Sequence, residues 1–301
     1  MEIGKTRNSS GFGKPPWIFK GSASYQLHLV KAETARACIP KEFRLVEAFG
    51  YTLGGFFLAN YEDSPAGAFD ELVVIAGLVW NPPTSCAWAT KVFVNSNEAC
   101  EHGRKEVGLP SHVARFSKRI TAMPKKKSNK SIGFLDMIGM NTTTTTSSNS
   151  RDFMDVQVTE VKSPCVEDSC SFNLTTTLVP AASSLDKWMG PTIKMSLPSF
   201  SGRTEYTPDL FKYSCKIQCR VRAVHPTKVS VSRISELEPC SEHHESRSSS
   251  SSATTMDHST SAAVMLSKPI FAFKFSRMTM EVEAPVVVSN CSSSNNPLRT
   301  C

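Results

Sequence analysis

The fold follows from the stretch Leu72-Val73-Val74-Ile75-Ala76-Gly77-Leu78-Val79-Trp80, an apolar run of strand length. Similar runs precede and follow it, at Tyr51–Tyr61 and at Cys86–Val94, and Gly, Pro, Asp and Ser residues separate the three. Phe43–Ala48 has the same strand-like composition. Short strands joined by turn residues at this spacing predict a mainly antiparallel sheet or barrel.

The rest of the chain adds further strands and two helices to this prediction. Helical spacing covers Lys31–Cys38, and a second helix is expected over Asn97–Val107, with Ser96 as its N-cap and Gly108 as its terminator. The expected class is therefore α+β, mainly antiparallel β, with a closed β-barrel or cone and a few packed helices. Further strands are predicted at Tyr25–Val30, His112–Ile120, Phe153–Val161, Ser171–Leu178, Tyr213–His225, Val229–Ile234 and Ile270–Val288.

Composition excludes several classes of protein. The 301 residues are 40% hydrophobic and 20% charged, which is ordinary globular usage and excludes wholesale disorder. No apolar run approaches the roughly 18 residues of a membrane-spanning helix. The net charge of +7 predicts a mildly basic surface, because much of the local excess lies in Lys125–Lys130; affinity for polyanions is the alternative.

The N-terminus and the cysteines indicate the compartment. Met1–Lys5 has no apolar secretory core, and the segment up to Gly11 makes a weak plastid-targeting peptide. The ten cysteines are therefore expected to be reduced. A cytoplasmic location is favoured, with the plastid as the alternative.

One domain is expected over residues 13–288, because no repeat divides the chain into two complete cores. Low-complexity inserts are predicted at about 141–150, which is Thr-rich, and 242–261, which is Ser-rich. Residues 1–12 and 289–301 are expected to be flexible termini. The oligomeric state stays open.

No metal, cofactor or nucleic-acid site is predicted. Two cysteine pairs, Cys165 with Cys170 and Cys215 with Cys219, are too widely spaced for the usual zinc pairs. The Lys125–Lys130 cluster lacks interleaved aromatic residues. Gly54-Gly55 lies within a strand, where a bulge or close packing explains it better than a phosphate loop does.

The strongest candidate site is the segment Gly103–His112, a charged helix end that Gly108 and Pro110 join to an apolar strand. This segment resembles that of the acetoacetate decarboxylase-like superfamily, with Arg104 and Pro110 at the family's arginine and proline. The resemblance implies a Schiff-base lysine and a second lysine that lowers its pKa directly after the proline. Those positions are Ser111 and His112 here, so decarboxylation is not expected.

Two acidic positions of the superfamily are also matched in part. Lys105 stands where the family has a glutamate, and Glu106 follows one residue later. Phe69-Asp70-Glu71 resembles the segment whose glutamate faces the family's active site. The candidate pocket residues are accordingly Glu71, Arg104, Glu106, Ser111 and His112.

Three longer segments are similar to the plant neoxanthin-deficient proteins, a family within this superfamily: Gly13–Gly21, Phe49–Phe57 and Gly77–Trp88. The resemblance implies a factor required for neoxanthin biosynthesis or accumulation, and hence for abscisic acid production, that does not itself convert violaxanthin to neoxanthin. Its partner would be a xanthophyll or another apolar ligand, or a carotenoid-biosynthesis enzyme.

The alternative is a lysine-independent enzyme acting on a small or apolar carbonyl or carboxylate substrate. In that hypothesis His112 is the general acid or base and Arg104 anchors a carboxylate or enolate, while Glu71 or Glu106 orients the pair. It requires these side chains to converge on one barrel mouth.

Overall fold

The computed structural model describes residues 11–122, 152–161, 168–178, 190–235 and 260–288. Strands dominate them, which confirms the expected class of mainly antiparallel β with a few short helices. The strands are β1 (Trp17–Lys31), β2 (Tyr51–Asp63), β3 (Phe69–Asn81), β4 (Thr84–Val94), β5 (Ser111–Ala122), β6 (Asp152–Glu160), β7 (Asp168–Leu178), β8 (Thr192–Gly202), β9 (Leu210–Val224), β10 (Lys228–Ser235), β11 (Lys268–Val282) and β12 (Val286–Val287).

Seven strands close into a barrel in the order β4-β3-β2-β1-β11-β9-β8, and β8 returns to β4. The first six pairings are antiparallel, and the closing contact is a short parallel one at Ala87↔Ser199 and Trp88↔Phe200. The sequence prediction omitted β8, whose Thr192–Gly202 segment carries Ser, Lys and Pro among its apolar residues. Its pairing partners on both sides hold it in the barrel wall.

A second sheet covers part of the outside of the barrel. Strands β5, β6, β7 and β10 are antiparallel to one another, and β5 joins the barrel through a parallel pairing of Ser111–Val113 with Val92–Val94 of β4. Apolar residues of the two layers, such as Phe93 of the barrel and Phe172 of β7, pack between them. The molecule thus has an outer core between the sheets and an inner core within the barrel.

Three helical segments accompany the strands. Helix α1 (Ala32–Cys38) follows β1 directly, and residues 260–265 are helical before β11. Helix α2 (Asn97–His102) is capped by Ser96, whose Oγ accepts from the Ala99 N–H at 3.1 Å, as predicted.

Two sequence predictions need correction. The second helix is α-helical only to His102 and continues as one π-helical turn, Gly103–Val107, because the Gly108 N–H reaches back to the Gly103 carbonyl. Gly108 ends it at φ +75°, as expected. The prediction of a strand over Phe43–Ala48 is wrong. This segment makes only isolated bridges, at Leu45↔Val79 and Ala48↔Tyr51, and its side chains Phe43 and Leu45 pack on the outer core.

Several expectations concern residues outside the described ranges. The Thr-rich insert at 141–150 and most of the Ser-rich insert at 242–261 lie there, as do residues 1–10 and 289–301. The described cysteines Cys86, Cys100, Cys215 and Cys219 are free thiols. Within the described ranges no helix is both long enough and apolar enough to cross a membrane.

Candidate functional site

A cavity of about 450 Å³ occupies the interior of the barrel. Inward-facing side chains of all seven barrel strands line it, together with one face of α2 and the π-helical turn. Its size falls in the range of small-molecule pockets, which is about 300–1,000 Å³. The lining is largely apolar and aromatic, including Phe19, Tyr25, Phe57, Phe69, Ile217 and Met280.

The two ends of the cavity differ. At one end α2 and the π-helical turn close the barrel, and Ala99, Gly103 and Val107 line the cavity there. The sequence prediction placed these three residues on one helix face. At the other end lie Leu53, Leu78, Thr84 and Ser85, near the termini of β2, β3 and β4. We call this second end the mouth of the barrel.

Glu71 is the carboxyl group among the described residues that line the cavity. It lies on β3 opposite Ala59 of β2, and its Oε2 accepts a hydrogen bond from the Tyr61 hydroxyl at 2.9 Å. Its surface is only partly covered because it faces the cavity, but protein atoms surround it on every other side. Burial therefore raises the pKa of Glu71 from 4.5 to about 7, although the bond from Tyr61 acts in the opposite direction. A carboxyl group with this pKa can donate or accept a proton near neutral pH.

Tyr213 and Cys215 complete the polar cluster around Glu71. Both lie on the inward face of β9 and line the cavity. Burial, aided by the nearby Glu71 charge, raises the pKa of Cys215 to about 12 and that of Tyr213 well above its ordinary value. Burial likewise raises the pKa of the Tyr61 phenol. The thiol of Cys215 and the phenols of Tyr61 and Tyr213 thus stay protonated at neutral pH, as hydrogen-bonding groups in an apolar cavity.

His102 is a further polar residue at the closed end of the cavity. Its ring packs edge-on against Phe12, Trp17 and Phe19, with centroid distances between 5.0 and 5.9 Å. Burial lowers its pKa to about 4, so the imidazole is neutral. Within the described part of the chain its Nε2 is buried and has no hydrogen-bond partner.

The junction between the π-helical turn and β5 places Ser111 at the cavity. A Cβ on Gly103 would lie 2.5 Å from the Ser111 Oγ, so only glycine permits this close approach. The Arg104 Nε donates to the Ser111 carbonyl at 2.6 Å, and the Arg104 guanidinium lies 4.0 Å from the Tyr206 ring centroid. Arg104 therefore fixes the backbone at the start of β5.

The structure brings together only part of the predicted pocket. Glu71 and Ser111 line the cavity, whereas Arg104, Glu106 and His112 are not among its lining residues. Glu106 lies on the π-helical turn, where its charge opposes the effect of burial on His102. Because alternate residues of a strand face opposite sides, Ser111 and His112 cannot both point into the barrel.

His112 faces the outer core instead. Its Nδ1 lies 3.3 Å from Glu160 Oε1, and the other oxygen of Glu160 lies 3.3 Å from the Lys91 ammonium. Lys91 and Glu160 are almost completely buried between the barrel and the second sheet. The hypothesis of a lysine-independent enzyme needs His112 and Arg104 to act at one site. In the structure neither side chain lines the cavity, and the two make different contacts.

Similar proteins in plants identify the family. The chain is 60% identical over 299 residues to Protein NEOXANTHIN-DEFICIENT 1 of Solanum lycopersicum, covering 97% of this chain and 99% of that one. It is 59% identical over 288 residues to the protein of the same name in Arabidopsis thaliana, covering 96% and 99%. The chain belongs to the NEOXANTHIN-DEFICIENT 1 family. The resemblance inferred from Gly13–Gly21, Phe49–Phe57 and Gly77–Trp88 is thereby confirmed.

No family model matches the chain. The solved structures that are similar to this NEOXANTHIN-DEFICIENT 1 family member have little sequence identity with it. The structure is similar, at TM-score 0.49 and 14% identity, to the enduracididine biosynthesis enzyme MppR, covering 94% of this chain and 91% of that one. It is similar at TM-score 0.48 and 11% identity to acetoacetate decarboxylase from Legionella pneumophila, covering 95% and 92%.

Sequence reasoning missed four of the cavity's polar residues as site residues: Tyr61, His102, Tyr213 and Cys215. A signal existed for three of them. The alternation in β9 places Cys215 on the face of Ile217, and Tyr213 shares that parity. His102 follows Ala99 by three residues and so shares its helix face. For Tyr61 in this NEOXANTHIN-DEFICIENT 1 family member, only the β2–β3 register shows that it meets Glu71.

Proposed function

We propose that this protein is a factor required for neoxanthin biosynthesis or accumulation, and hence for abscisic acid production, and that it binds an apolar, oxygen-bearing ligand in the barrel. The name of the relatives supports the role in neoxanthin biosynthesis. The cavity carries the binding proposal, because apolar walls surround a small polar cluster of Glu71, Tyr61 and Tyr213. Such a cavity suits a hydroxylated ring on an apolar body.

A xanthophyll fits this chemistry in part. A cavity of about 450 Å³ holds one oxygenated end ring, and the remaining polyene chain must leave through the mouth. Glu71 and Tyr61 would meet the ring oxygens at the closed end, whereas Leu53 and Leu78 would contact the chain at the mouth. The ligand would therefore bind with its polar end innermost.

The protein does not itself convert violaxanthin to neoxanthin in this proposal. The superfamily's lysine pair is replaced by Ser111 and His112, and none of the described residues lining the cavity is a lysine. No iminium intermediate can therefore form on any of these described lining residues. A carotenoid-biosynthesis enzyme is the alternative partner.

The proposal is tested by complementation and by direct binding. A plant line lacking this protein should regain leaf neoxanthin, measured by pigment chromatography, with the wild-type chain but not with Ala87→Trp, which fills the cavity near the mouth. Ala263→Trp, an exposed position on the helix at 260–265, is the matched control and should restore the pigment. Normal neoxanthin in the line lacking the protein, or full rescue by a folded Ala87→Trp variant, would refute the proposal.

One observation favours a second candidate function, a lysine-independent enzyme acting on a small or apolar carbonyl or carboxylate substrate. Glu71 has a pKa near 7 and a hydrogen bond from Tyr61 within a cavity, which suits a general acid. In this case Glu71→Gln should abolish rescue while ligand binding persists. Purified protein that alone makes neoxanthin from violaxanthin would instead identify it as the converting enzyme.

A further inference from the structure

Exposed apolar side chains surround the mouth of the barrel. Leu53, Trp80 and Phe271 are 39%, 45% and 60% exposed, and Tyr51 is 42% exposed. The sheet register places them at one end: Tyr51 and Leu53 begin β2, Trp80 lies opposite the cavity-lining Ser85, and Phe271 lies opposite Leu27. With Phe49 they form what we call the mouth rim.

Phe49 is the most unusual member of the mouth rim. It is fully exposed and has φ +53°, and Gly50 follows with φ +79°. The two residues form a tight turn closed by the reciprocal backbone hydrogen bonds of Ala48 and Tyr51, at 2.9 and 3.0 Å. Turns with two positive φ angles favour Asn, Asp or Gly, so phenylalanine is strained there. A strained aromatic ring held out in solvent at a turn tip points to a binding role.

Basic residues surround the same end of the barrel. Lys31 lies opposite Tyr51, Lys268 lies opposite Leu29, and the Arg44 carbonyl accepts from the Trp80 N–H at 2.7 Å. The acidic residues Glu33 and Glu47 of this end are paired with bases, at 3.6 Å from Lys31 and 2.6 Å from Arg36. Arg44 and Lys268 thus leave the mouth rim with positive charge, in a chain whose net charge is +7.

We propose that the mouth rim docks on a membrane surface that carries anionic lipids. Aromatic side chains are favoured at the interface between lipid headgroups and acyl chains. Basic residues beside them supply the attraction to anionic headgroups, and stable peripheral binding needs both contributions. The mouth of the cavity then faces the bilayer, so that an apolar ligand passes between membrane and barrel without crossing water.

Vesicle flotation tests this docking. The wild-type protein should float with vesicles of phosphatidylcholine mixed with phosphatidylglycerol, and much less with phosphatidylcholine alone. Lys268→Gln should weaken binding about fivefold, because each basic residue near such a surface contributes about 1 kcal/mol. Binding should also fall as salt is added.

The decisive variant is Phe49→Asn, because asparagine is favoured at this turn position and the fold should be as stable as the wild type or more stable. Loss of the phenyl ring that the membrane would bury should lower vesicle binding about tenfold. The control is Val286→Asn, which removes an exposed apolar residue away from the mouth rim. Val286 lies on β12, which pairs with the start of β9, and its replacement should leave vesicle binding unchanged. Equal binding by wild type and Phe49→Asn, or no binding to either vesicle, would overturn the proposal.

Two further measurements distinguish membrane docking from self-association and from ligand binding. If Phe49→Asn abolishes self-association in sedimentation experiments while vesicles are not bound, the mouth rim covers a second copy of the chain and the docking proposal is wrong. Ala87→Trp should lose ligand binding but keep vesicle binding. Docking can therefore fail or succeed independently of the ligand proposed for the cavity.

Discussion

Glu71 and Tyr61 determine the chemistry of the cavity. The carboxyl lies among apolar walls, and a single described hydrogen bond, from Tyr61 at 2.9 Å, stabilises its charged form. One such bond does not offset the loss of hydration, so the neutral acid is favoured up to about pH 7. The cavity therefore presents a proton donor, and not a full charge, to an apolar ligand at slightly acidic pH.

The pH dependence of stability should reveal this carboxyl. Because its pKa is raised from 4.5 in the unfolded chain to about 7 in the folded protein, the folded state holds the proton more tightly. Its contribution is fully present below about pH 4.5 and is lost as the pH rises to about 7, by on the order of 3 kcal/mol. Glu71→Gln should abolish this loss, measured by urea unfolding at a series of pH values.

Two comparisons make this measurement specific. Glu62→Gln, which changes an exposed carboxylate of β2 that does not line the cavity, should keep the wild-type pH profile. His102 acts in the opposite direction, because its lowered pKa makes the folded state less stable as the pH falls from 6.5 to about 4. The difference between wild type and Glu71→Gln removes that contribution, and identical profiles for the two proteins would contradict the assignment.

Among the secondary-structure elements, the π-helical turn and β5 form the critical junction. Gly103 closes onto Ser111, and the Ser201 hydroxyl and the Thr207 hydroxyl donate to the carbonyls of Val107 and Arg104. The turn is thereby held on three sides, which explains how a widened helical turn persists. This junction fixes the closed end of the cavity.

Gly103→Ala tests the junction. The added methyl group meets the Ser111 Oγ at 2.5 Å, and overpacking of this kind costs about 1–3 kcal/mol of unfolding free energy. Ser111→Ala in the same chain removes that atom and should restore most of the loss. Additive effects of the two substitutions in denaturant unfolding would show that the contact does not limit packing here.

The buried ion pair between Lys91 and Glu160 joins the barrel to the second sheet. The side chains are 2% and 5% exposed. Glu160→Gln should destabilise the protein by about 3–5 kcal/mol, measured by denaturant unfolding, since it leaves a buried ammonium without this carboxylate. Replacing both residues by methionine should restore much of the stability.

An exposed pair provides the control for that experiment. Lys20 and Asp63 lie 2.9 Å apart, but both side chains are more than half exposed. Asp63→Asn should therefore change the unfolding free energy by less than about 1 kcal/mol. If Glu160→Gln were as mild, the folded state would not depend on this buried carboxylate.

Closure of the barrel creates the cavity and sets the behaviour of the complete molecule. Seven strands enclose a space that their inward side chains do not fill, and α2 covers one end of it. A ligand that occupies this space binds only the folded state and must stabilise it. The closed barrel thus couples ligand binding to folding.

Thermal unfolding should report that coupling. A xanthophyll supplied in detergent at a concentration about 100 times its dissociation constant should stabilise the wild-type chain by about 2.7 kcal/mol and raise its midpoint temperature. Ala87→Trp should show no shift, whereas Ala263→Trp should behave as wild type. A shift of equal size in Ala87→Trp would place the ligand outside the barrel.

Patterns in the amino-acid sequence were sufficient to predict the strand-rich class, the Ser96 cap, the Gly108 stop and the family. These depend on alternation, capping and turn residues close together in the chain, or on long strings such as Gly77–Trp88. The same patterns marked Glu71 and Ser111 as pocket candidates, and both line the cavity.

Packing between distant segments determines which candidates meet. The β2–β3 register brings Tyr61 to Glu71, the π-helical turn aims Ser111 inward, and strand alternation then sends His112 to Glu160 on the outer core. The closing strand β8 escaped prediction because its residues lack a strong apolar pattern and depend on pairing with β4 and β9. Contacts between residues far apart in the chain determine these features, and local sequence patterns do not predict such contacts.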